Sequence, residues 1–346
     1  MTLEEYFYSF ENRLDCFPGK HNYVSAYKSF KDFMNNNVHK EIKSITLVKD
    51  DGTIYLNDHS AEHVQMVMEK ISRILWTGDN PIVTLEPFEC FILLSAIQIH
   101  DAGHIINGRV DHEKNSKVFL KEFEDYIVGS PERKIIYEIA RAHSGKDDPI
   151  GKLSQLEVVS DFQVRMRMLA ALLRLGDEMA DEASRASKYL FEENKIVEGS
   201  KLFHAFSLSL NSFLPHVDSH EVCMKFNLNK KFCSEVFKKH KKDTIINTYL
   251  LDEIYERTFK TFHECLYYNR FVPDTIRLNT VNVTVEFYDD DFEPFFSSIK
   301  YRLEEKGYPH IQEVNIYALC GRDLERDGQK LNGEYIKSKI DDNERC

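Results

Sequence analysis

The sequence has no long apolar run and no closely spaced cysteine pair, and each absence excludes a class of protein. The longest apolar run, residues 90–99, contains Ser95 and Gln98 and is far shorter than the roughly 20 residues of a membrane-spanning helix. We therefore expect no transmembrane helix. The seven cysteines include no Cys-x-x-Cys spacing, which excludes a zinc ribbon, and their odd number fits reduced thiols in a cytosol.

The sequence also lacks an excess of basic residues. Its 45 Lys and Arg are outnumbered by 57 Asp and Glu, for a net charge of -12, so the whole protein has no attraction for nucleic acid and a polyanion would need a local patch or a metal ion. The first residues are acidic and lack the apolar core of a secretory signal. We expect a cytoplasmic protein with no membrane partner.

Hydrophobic periodicity predicts a helical first half. Residues 3–13 and 22–38 have the spacing of two N-terminal helices, and Asp51-Gly52 predicts the turn of a β-hairpin over 44–56. Further helices are predicted from apolar residues that recur at helical spacing. They cover residues 61–75, 88–99, 113–127 (with Asp111 as its cap), 131–143 and 162–188.

Beyond about residue 190 the pattern changes. Residues 202–210, 221–228 and 281–287 alternate apolar with polar side chains and predict strands, whereas 244–268 and 292–305 have helical spacing. The last 20 or so residues are polar and predict a frayed end. The fold class predicted from these patterns is mainly α, followed by a smaller α+β C-terminal region.

Three short motifs place histidine and aspartate at the ends or on the faces of these helices. They are DHSAEH at 58–63, IHDAGH at 99–104 and LLRLGDEMAD at 172–181. A lone His-Asp pair is more often a core histidine beside a capping aspartate. The ordered series of His63, His100-Asp101 and Asp177 points instead to a shared site.

This series resembles the signature of the HD phosphohydrolase superfamily, which is His, then His-Asp, then a distant Asp. The resemblance covers roughly residues 55–190. The sequence around the motifs is similar to that of HD domains of bacterial conflict systems found beside Hsp90-like ATPases, which implies a role in antiviral defence. It implies N-terminal helices and a hairpin over residues 1–56, a helical HD domain over 57–195 and an α+β accessory region over 196–346.

The resemblance also implies a metal site. His63, His100, Asp101 and Asp177 would bind the first divalent ion, with Asp101 as the bridge to a second one. Imidazole and carboxylate ligands suit Mn, Fe, Co or Ni, with Mg less favoured, and leave open positions. Such an ion acidifies water and takes up charge on a phosphoryl oxygen. We therefore expect hydrolysis of a phosphoester or phosphoanhydride of a nucleotide.

Two further histidines complete the predicted catalytic set with Asp101. His112 opens a His-Glu-x-x-Ser stretch similar to that of HD deoxynucleotide triphosphohydrolases, and His143 falls where two-metal members have another ligand. Each is therefore a general acid or a ligand of a second metal, and whether one or two ions bind stays open. Candidate phosphate contacts are His59, His104, Arg141, Lys146 and Arg174.

Each of these candidates also has a structural interpretation. His59 is equally suited to hydrogen bonding at a helix start, His104 to packing, and the cations to solvated surface positions. On the third motif, Asp181 and Arg185 have the i,i+4 spacing of a salt bridge.

A lysine-rich segment keeps a second function open. Between Lys225 and Lys242 seven lysines accompany one acid, with Phe226, Phe232 and Phe237 interleaved, a composition typical of solvated surfaces but also of single-strand binders. If the segment binds single-stranded DNA or RNA, the metal site would make the protein a nuclease. A third hypothesis is a non-catalytic sensor or scaffold. The aromatic N-terminal helices could cover the core, a protein partner or a second copy.

Overall fold

The computed structural model describes residues 1–42, 60–107, 111–123, 128–181, 186, 188–241, 244–305, 315–326 and 328–344. The described residues divide into two compact units, the first within 1–46, 58–180 and 268–277 and the second within 181–267 and 278–346. The hairpin predicted over 44–56 lies outside the described residues. The domain boundaries inferred from the sequence stay predictions.

The first unit is helical. Its helices are α1 Leu3–Tyr8, α2 Tyr23–Phe33, α3 Ala61–Leu75, α4 Pro87–Ile99, α5 His104–Asn107, α6 His112–Asn115, α7 Ser130–Arg141 and α8 Met166–Met179. Short 3-10 turns cover Leu14–Cys16, Pro18–Lys20, Ser116–Phe123 and Asp274–Ile276, and a π-helical turn covers Met34–His39. Two small hairpins pair β1 Trp76–Thr77 with β2 Asn80–Pro81, and β3 Glu157–Val159 with β4 Phe162–Val164.

Helix α4 is the centre of this unit. Every residue from Pro87 to Ile99 is buried, and a helix that is apolar all round needs neighbours on every side, which α1, α2, α3, α7 and α8 provide. Its start is defined by Pro87 at the first helical position and by a capping box between Glu86 and Glu89. The helix ends at Ile99, and the next two residues, His100 and Asp101, are also buried.

The helix predicted over residues 162–188 is confirmed over Met166–Met179 but its predicted start is wrong, and Asp111 precedes α6 without capping it. Residues 162–164 form β4, and the helix begins only after Arg165, whose backbone N–H and guanidinium both donate to the carboxylate of Glu89. Phe162 instead packs edge-on against Phe88, 5.9 Å between ring centroids. Tertiary contacts therefore override the helical spacing. Asp111 has a φ of 52° and makes no side-chain cap for α6, and the short α6 is followed by a 3-10 turn.

The second unit combines helices with a mixed sheet. Its helices are α9 Lys188–Glu192, α10 Glu198–Ser209, α11 Lys230–Ser234, α12 Leu250–Asn269 (in this unit through residue 267), α13 Ile316–Cys320 and α14 Gly333–Glu344, with 3-10 turns at Val217–Ser219 and Gly321–Leu324. Its strands are β5 Leu210–His216, β6 Glu221–Asn229, β7 Phe237–Lys241, β8 Thr244–Thr248, β9 Thr280–Tyr288, β10 Pro294–Glu304, β11 Glu325–Arg326 and β12 Gln329–Lys330.

Four strands form the main sheet, in the order β10-β9-β6-β5. The central pair, β6 and β9, is parallel, and the outer pairs are antiparallel. Separate two-stranded sheets pair β7 with β8 and β11 with β12. The predicted strands at 221–228 and 281–287 are confirmed, and so is the fold class of a mainly α protein with an α+β C-terminal region.

Other C-terminal predictions are wrong. Residues 202–209 belong to α10, because Leu202, Ala205, Phe206 and Ser209 are buried at helical spacing although the end of the segment alternates. Residues 294–304 form β10 and not a helix, since Ile299, Tyr301 and Leu303 are buried on one face of the sheet. Thr244–Thr248 precedes α12 as a strand, and residues 333–344 form α14 where a frayed end was expected. Within the described residues no helix is long and apolar enough to cross a membrane.

Candidate metal centre

Three helices of the first unit bring four motif residues together. His63 is the third residue of α3, which begins after Ser60, whose hydroxyl accepts from the backbone N–H of Glu62. His100 and Asp101 follow the last residue of α4, and Asp177 lies in the last turn of α8. One ligand atom from each of His63, His100, Asp101 and Asp177 lies within 4.8 Å of the others.

The contacts within this group are close. The Nε2 atom of His63 lies 3.1 Å from Oδ1 of Asp177, 3.3 Å from Nε2 of His100 and 3.6 Å from Oδ2 of Asp101. The Nε2 atom of His100 lies 3.5 Å from Oδ2 of Asp101 and 3.6 Å from Oδ1 of Asp177. Both histidine side chains are fully buried, and Asp177 is the most exposed of the four at 26%. The two imidazoles of the group are therefore shielded from solvent, and Asp177 lies on the side nearer to solvent.

Two glycines permit these close approaches. A Cβ atom on Gly176, the residue before Asp177, would lie 2.6 Å from Cγ1 of Ile71 on α3. A Cβ atom on Gly103 would lie 1.9 Å from the carbonyl oxygen of His112. No side chain fits in either place, so glycine allows α8 to pack against α3 and the turn after Asp101 to approach His112.

The donor set fits a cation. Nδ1 of His100 lies 2.8 Å from the carbonyl oxygen of Ile97. It can only donate there, so Nε2 is the ring nitrogen that faces the carboxylates and binds either a proton or a metal ion. Burial alone would lower the pKa of His100, but Asp101 and Asp177 outweigh burial and raise this pKa to about 9. Burial would likewise raise the pKa of Asp177, but hydrogen bonds from His100 and His63 hold this pKa well below its ordinary value. The centre therefore attracts positive charge, whether a proton or a metal ion.

A second group of imidazoles lies on the other oxygen of Asp101. The Nε2 atoms of His143, His112 and His104 lie 3.4, 3.5 and 3.8 Å from Oδ1 of Asp101. Nδ1 of His143 lies 2.6 Å from the carbonyl oxygen of Ala140, so its Nε2 is also left as an acceptor. The rings of His104 and His112 are stacked, with centroids 4.3 Å apart and an angle of 11° between their planes.

The other predicted contacts lie elsewhere or cannot be placed. His59 lies outside the described residues. Arg141 and Lys146 are exposed and line a separate cavity of about 460 Å³ together with Lys152. Arg174 donates to the carbonyl oxygen of Gly145, 3.2 Å away, and so holds the loop that follows His143.

Arg185, the predicted salt-bridge partner of Asp181, lies outside the described residues. Asp181 instead forms an ion pair of 2.7 Å with Arg257 and accepts a hydrogen bond of 2.7 Å from Ser207.

In its described part, the lysine-rich segment is not a continuous basic surface. Lys225 forms an ion pair of 2.9 Å with Glu286, and Lys239 forms one of 2.9 Å with Glu256 and another with Glu253. Phe226 and Phe237 are buried at 0% and 1% exposure and cannot stack on a base. Phe232 alone of the three phenylalanines is partly exposed.

A buried histidine close to the metal centre was missed in the sequence. His39, in the π-helical turn after α2, is 1% exposed, and burial lowers its pKa to about 4. Its Nε2 lies 3.1 Å from Oε1 of Gln98, two residues before His100, and Nε2 of Gln98 donates to the hydroxyl of Tyr27 at 3.2 Å. Tyr27 in turn donates to Glu4 at 2.7 Å. This chain ties the N-terminal helices to the end of α4. No motif marks His39, because its burial depends on tertiary packing.

Comparison with known proteins gives one family match. A family model described as HD-CE matches residues 53–258, more than half of the 346-residue chain and including all the motif residues above from His63 to Asp177. Searches of curated proteins and of solved structures gave no significant match.

Proposed function

The chain belongs to the HD-CE family, and we propose that it is a metal-dependent phosphohydrolase that acts on a nucleotide. The observation that carries the proposal is the position of Asp101 between two groups of imidazoles. Its Oδ2 faces His63 and His100, and its Oδ1 faces His112 and His143. A carboxylate placed in this way is suited to bridge two metal ions.

We expect one ion on each side of Asp101. His63, His100, Asp101 and Asp177 would hold the first, and Asp101, His112 and His143 the second. Mixed nitrogen and oxygen donors suit Mn, Fe, Co or Ni, with Mg less favoured. Divalent ions in such a site supply Lewis-acid chemistry, because they polarise a phosphoryl group and lower the pKa of water.

The side chains themselves orient the ligands and move a proton. The carbonyl oxygens of Ile97 and Ala140 hold the rings of His100 and His143 with Nε2 pointing inward. His112 is the most exposed of the five imidazoles at 18%, and its Nδ1 lies 3.4 Å from the carboxylate of Glu113. It is therefore the histidine best placed to give a proton to a leaving oxygen if it is not a ligand.

His104 is our candidate for a phosphate contact. It is 6% exposed, stacks flat on His112 and keeps its Nε2 3.8 Å from Asp101, beyond hydrogen-bonding distance. A ring N–H of His104 would donate a hydrogen bond to a phosphoryl oxygen of the substrate. The resemblance to HD domains of conflict systems extends the proposal to nucleotide hydrolysis in the cytoplasm during antiviral defence.

The experiment combines elemental analysis of the purified protein with a nucleotide panel. Nucleoside mono-, di- and triphosphates, cyclic nucleotides and single-stranded DNA and RNA are tested for release of phosphate or mononucleotide. We expect bound transition-metal ions and turnover of one substrate class. Asp101→Asn should lose the metal ions and turn over the substrate about 10³-fold more slowly, since metal catalysis lowers the activation free energy by several kcal/mol.

The matched control is His21→Ala, which removes an exposed imidazole outside the cluster and should behave as wild type. A protein without metal and without turnover, for which Asp101→Asn and wild type are indistinguishable, would refute the enzyme hypothesis and favour a sensor or scaffold.

A further inference from the structure

The second unit contains an aromatic-lined cavity of about 350 Å³. Four separate elements contribute an aromatic ring to it: Phe191 from α9, Phe232 from α11, Tyr288 from the end of β9, and Phe292 from the turn between β9 and β10. Phe191 and Phe232 meet edge to face, 5.1 Å between ring centroids. The volume is at the lower end of the range of small-molecule sites.

Phe292 is held in an unusual position at this cavity. It is 84% exposed and has a φ of 62°, a conformation that costs free energy for a bulky side chain. The Oδ1 atom of Asp289 accepts from the backbone N–H groups of Asp291 and Glu293, at 3.0 and 2.9 Å, and thereby sets this turn. Because the ring is exposed, its burial does not offset the free energy cost of this backbone conformation. A contact that the ring makes only when a ligand is present would explain its position.

Two polar side chains at the cavity are not engaged by the described part of the protein. Asn227 is exposed and its carboxamide has no hydrogen-bonding partner there, and Lys231 is exposed with no carboxylate in salt-bridge range. The corresponding side chains next to them at the cavity do have partners. The side chain of Asn229 accepts from the backbone N–H of Phe232 at 2.8 Å, and Lys188 lies 3.8 Å from Glu192. An amide and an ammonium group are therefore available beside aromatic walls.

We propose that this cavity binds a nucleotide. The base would stack among the aromatic rings under Phe292, because every base presents a π-face. The carboxamide of Asn227 would bond with the edge of the base, as an amide can both donate and accept. The ammonium group of Lys231 would take the phosphate. None of the lining residues belongs to the metal centre, so the inference stands independently of the proposed reaction.

Calorimetric titration of the full-length protein with AMP, GMP, CMP and UMP tests this site. We expect saturable binding of at least one of them, equally strong in wild type and in the Asp101→Asn variant of the metal centre. Phe292→Ala should weaken binding about tenfold or more, as expected for loss of a base stack. Lys231→Gln should reduce binding of the nucleotide to that of the corresponding nucleoside. The controls are Tyr189→Ala and Lys238→Gln, which change exposed residues outside the cavity.

A parallel titration with single-stranded pentanucleotides of DNA and RNA identifies the source of the nucleotide. Binding of mononucleotides indicates a free nucleotide, and binding of the pentanucleotides alone indicates a strand end. Absence of saturable binding in both titrations would overturn the proposal. So would wild-type affinity in both Phe292→Ala and Lys231→Gln; because both side chains are exposed, neither change should disturb folding.

Discussion

The Nε2 atoms of His112 and His143 lie 3.4 Å apart, although the residues are 31 positions apart in the chain. Both atoms also lie within 3.5 Å of Oδ1 of Asp101. At least the Nε2 of His143 carries a lone pair, because its Nδ1 faces the carbonyl oxygen of Ala140. A cation between these three groups would be coordinated by all of them.

Removal of either imidazole should therefore cost one metal ion. We expect elemental analysis to find about two ions per wild-type chain and about one in His112→Ala and in His143→Ala, because the first ion keeps its own four ligands. If His112→Ala keeps both ions and loses turnover, His112 is the proton donor instead. An unchanged metal content in His143→Ala would contradict the second site.

Replacing Gly176 with alanine should separate α3 from α8. The new methyl group would meet Cγ1 of Ile71 at 2.6 Å, and overpacking of this kind costs about 1–3 kcal/mol. Since His63 and Asp177 lie on these two helices, metal affinity should fall as well. The measurements are chemical denaturation and metal titration. The double variant Gly176→Ala with Ile71→Ala should recover metal affinity, and failure to recover it would show that the contact is not the cause.

Gln98→Leu should destabilise the first unit by about 1–3 kcal/mol, because His39 and Tyr27 would lose a buried hydrogen-bonding partner. The double variant with His39→Phe should be less destabilised than the sum of the single changes, since no donor is then left unsatisfied. Chemical denaturation measures both. Gln65→Leu, on the exposed face of α3, is the control. Strict additivity would contradict the coupling.

Stability should fall in mild acid because of His204. This residue is 3% exposed, and neither ring nitrogen has a hydrogen-bonding partner among the described residues. Burial lowers its pKa to about 4, although the charge of Asp181 opposes the shift. The unfolded chain, with a pKa near 6.5, therefore binds a proton between pH 6.5 and 4 that the folded chain does not. The free energy of unfolding should decrease across this window, by up to about 3 kcal/mol.

The comparison for this prediction is His204→Phe, which cannot titrate. Denaturation followed by circular dichroism at several pH values should show a shallower decrease between pH 6.5 and 4 than wild type shows. The variant should also be more stable near pH 7 by about 1–2 kcal/mol, because an unsatisfied buried polar group is removed. Equal slopes in the two proteins would disprove the role of His204.

The residues of the candidate centre were found from the sequence because chemistry is concentrated in short motifs. His63, His100, Asp101 and Asp177 each stand where a predicted helix starts, ends or turns inward, and the structure brings them within 4.8 Å. Arg141 and Lys146 were chosen for charge alone, and they line a different cavity. Charge without a motif does not locate a side chain, because a long flexible cation can be solvated on many surfaces.

Secondary structure was predictable where the apolar residues followed a single spacing, either helical or alternating. The apolar run of α4 and the alternation of β9 have a single interpretation, and both are confirmed. The segment from Leu202 to Leu210 fits both the helical and the alternating spacing. Packing within the second unit decides that it forms a helix through Ser209. Local patterns also could not predict the position of Phe292, because the turn depends on hydrogen bonds to Asp289.

The parallel pairing of β6 with β9 limits how the gene can be divided. Glu221 pairs with Thr280, so the partner strand lies 59 positions further along the chain, whereas the family match ends at residue 258, inside α12. A fragment expressed only to the family boundary would contain the β5–β6 hairpin with an open edge on β6, and such an edge recruits other chains. Fragments for biochemical work should therefore extend past β10, because a shorter product would aggregate whether or not its metal centre forms.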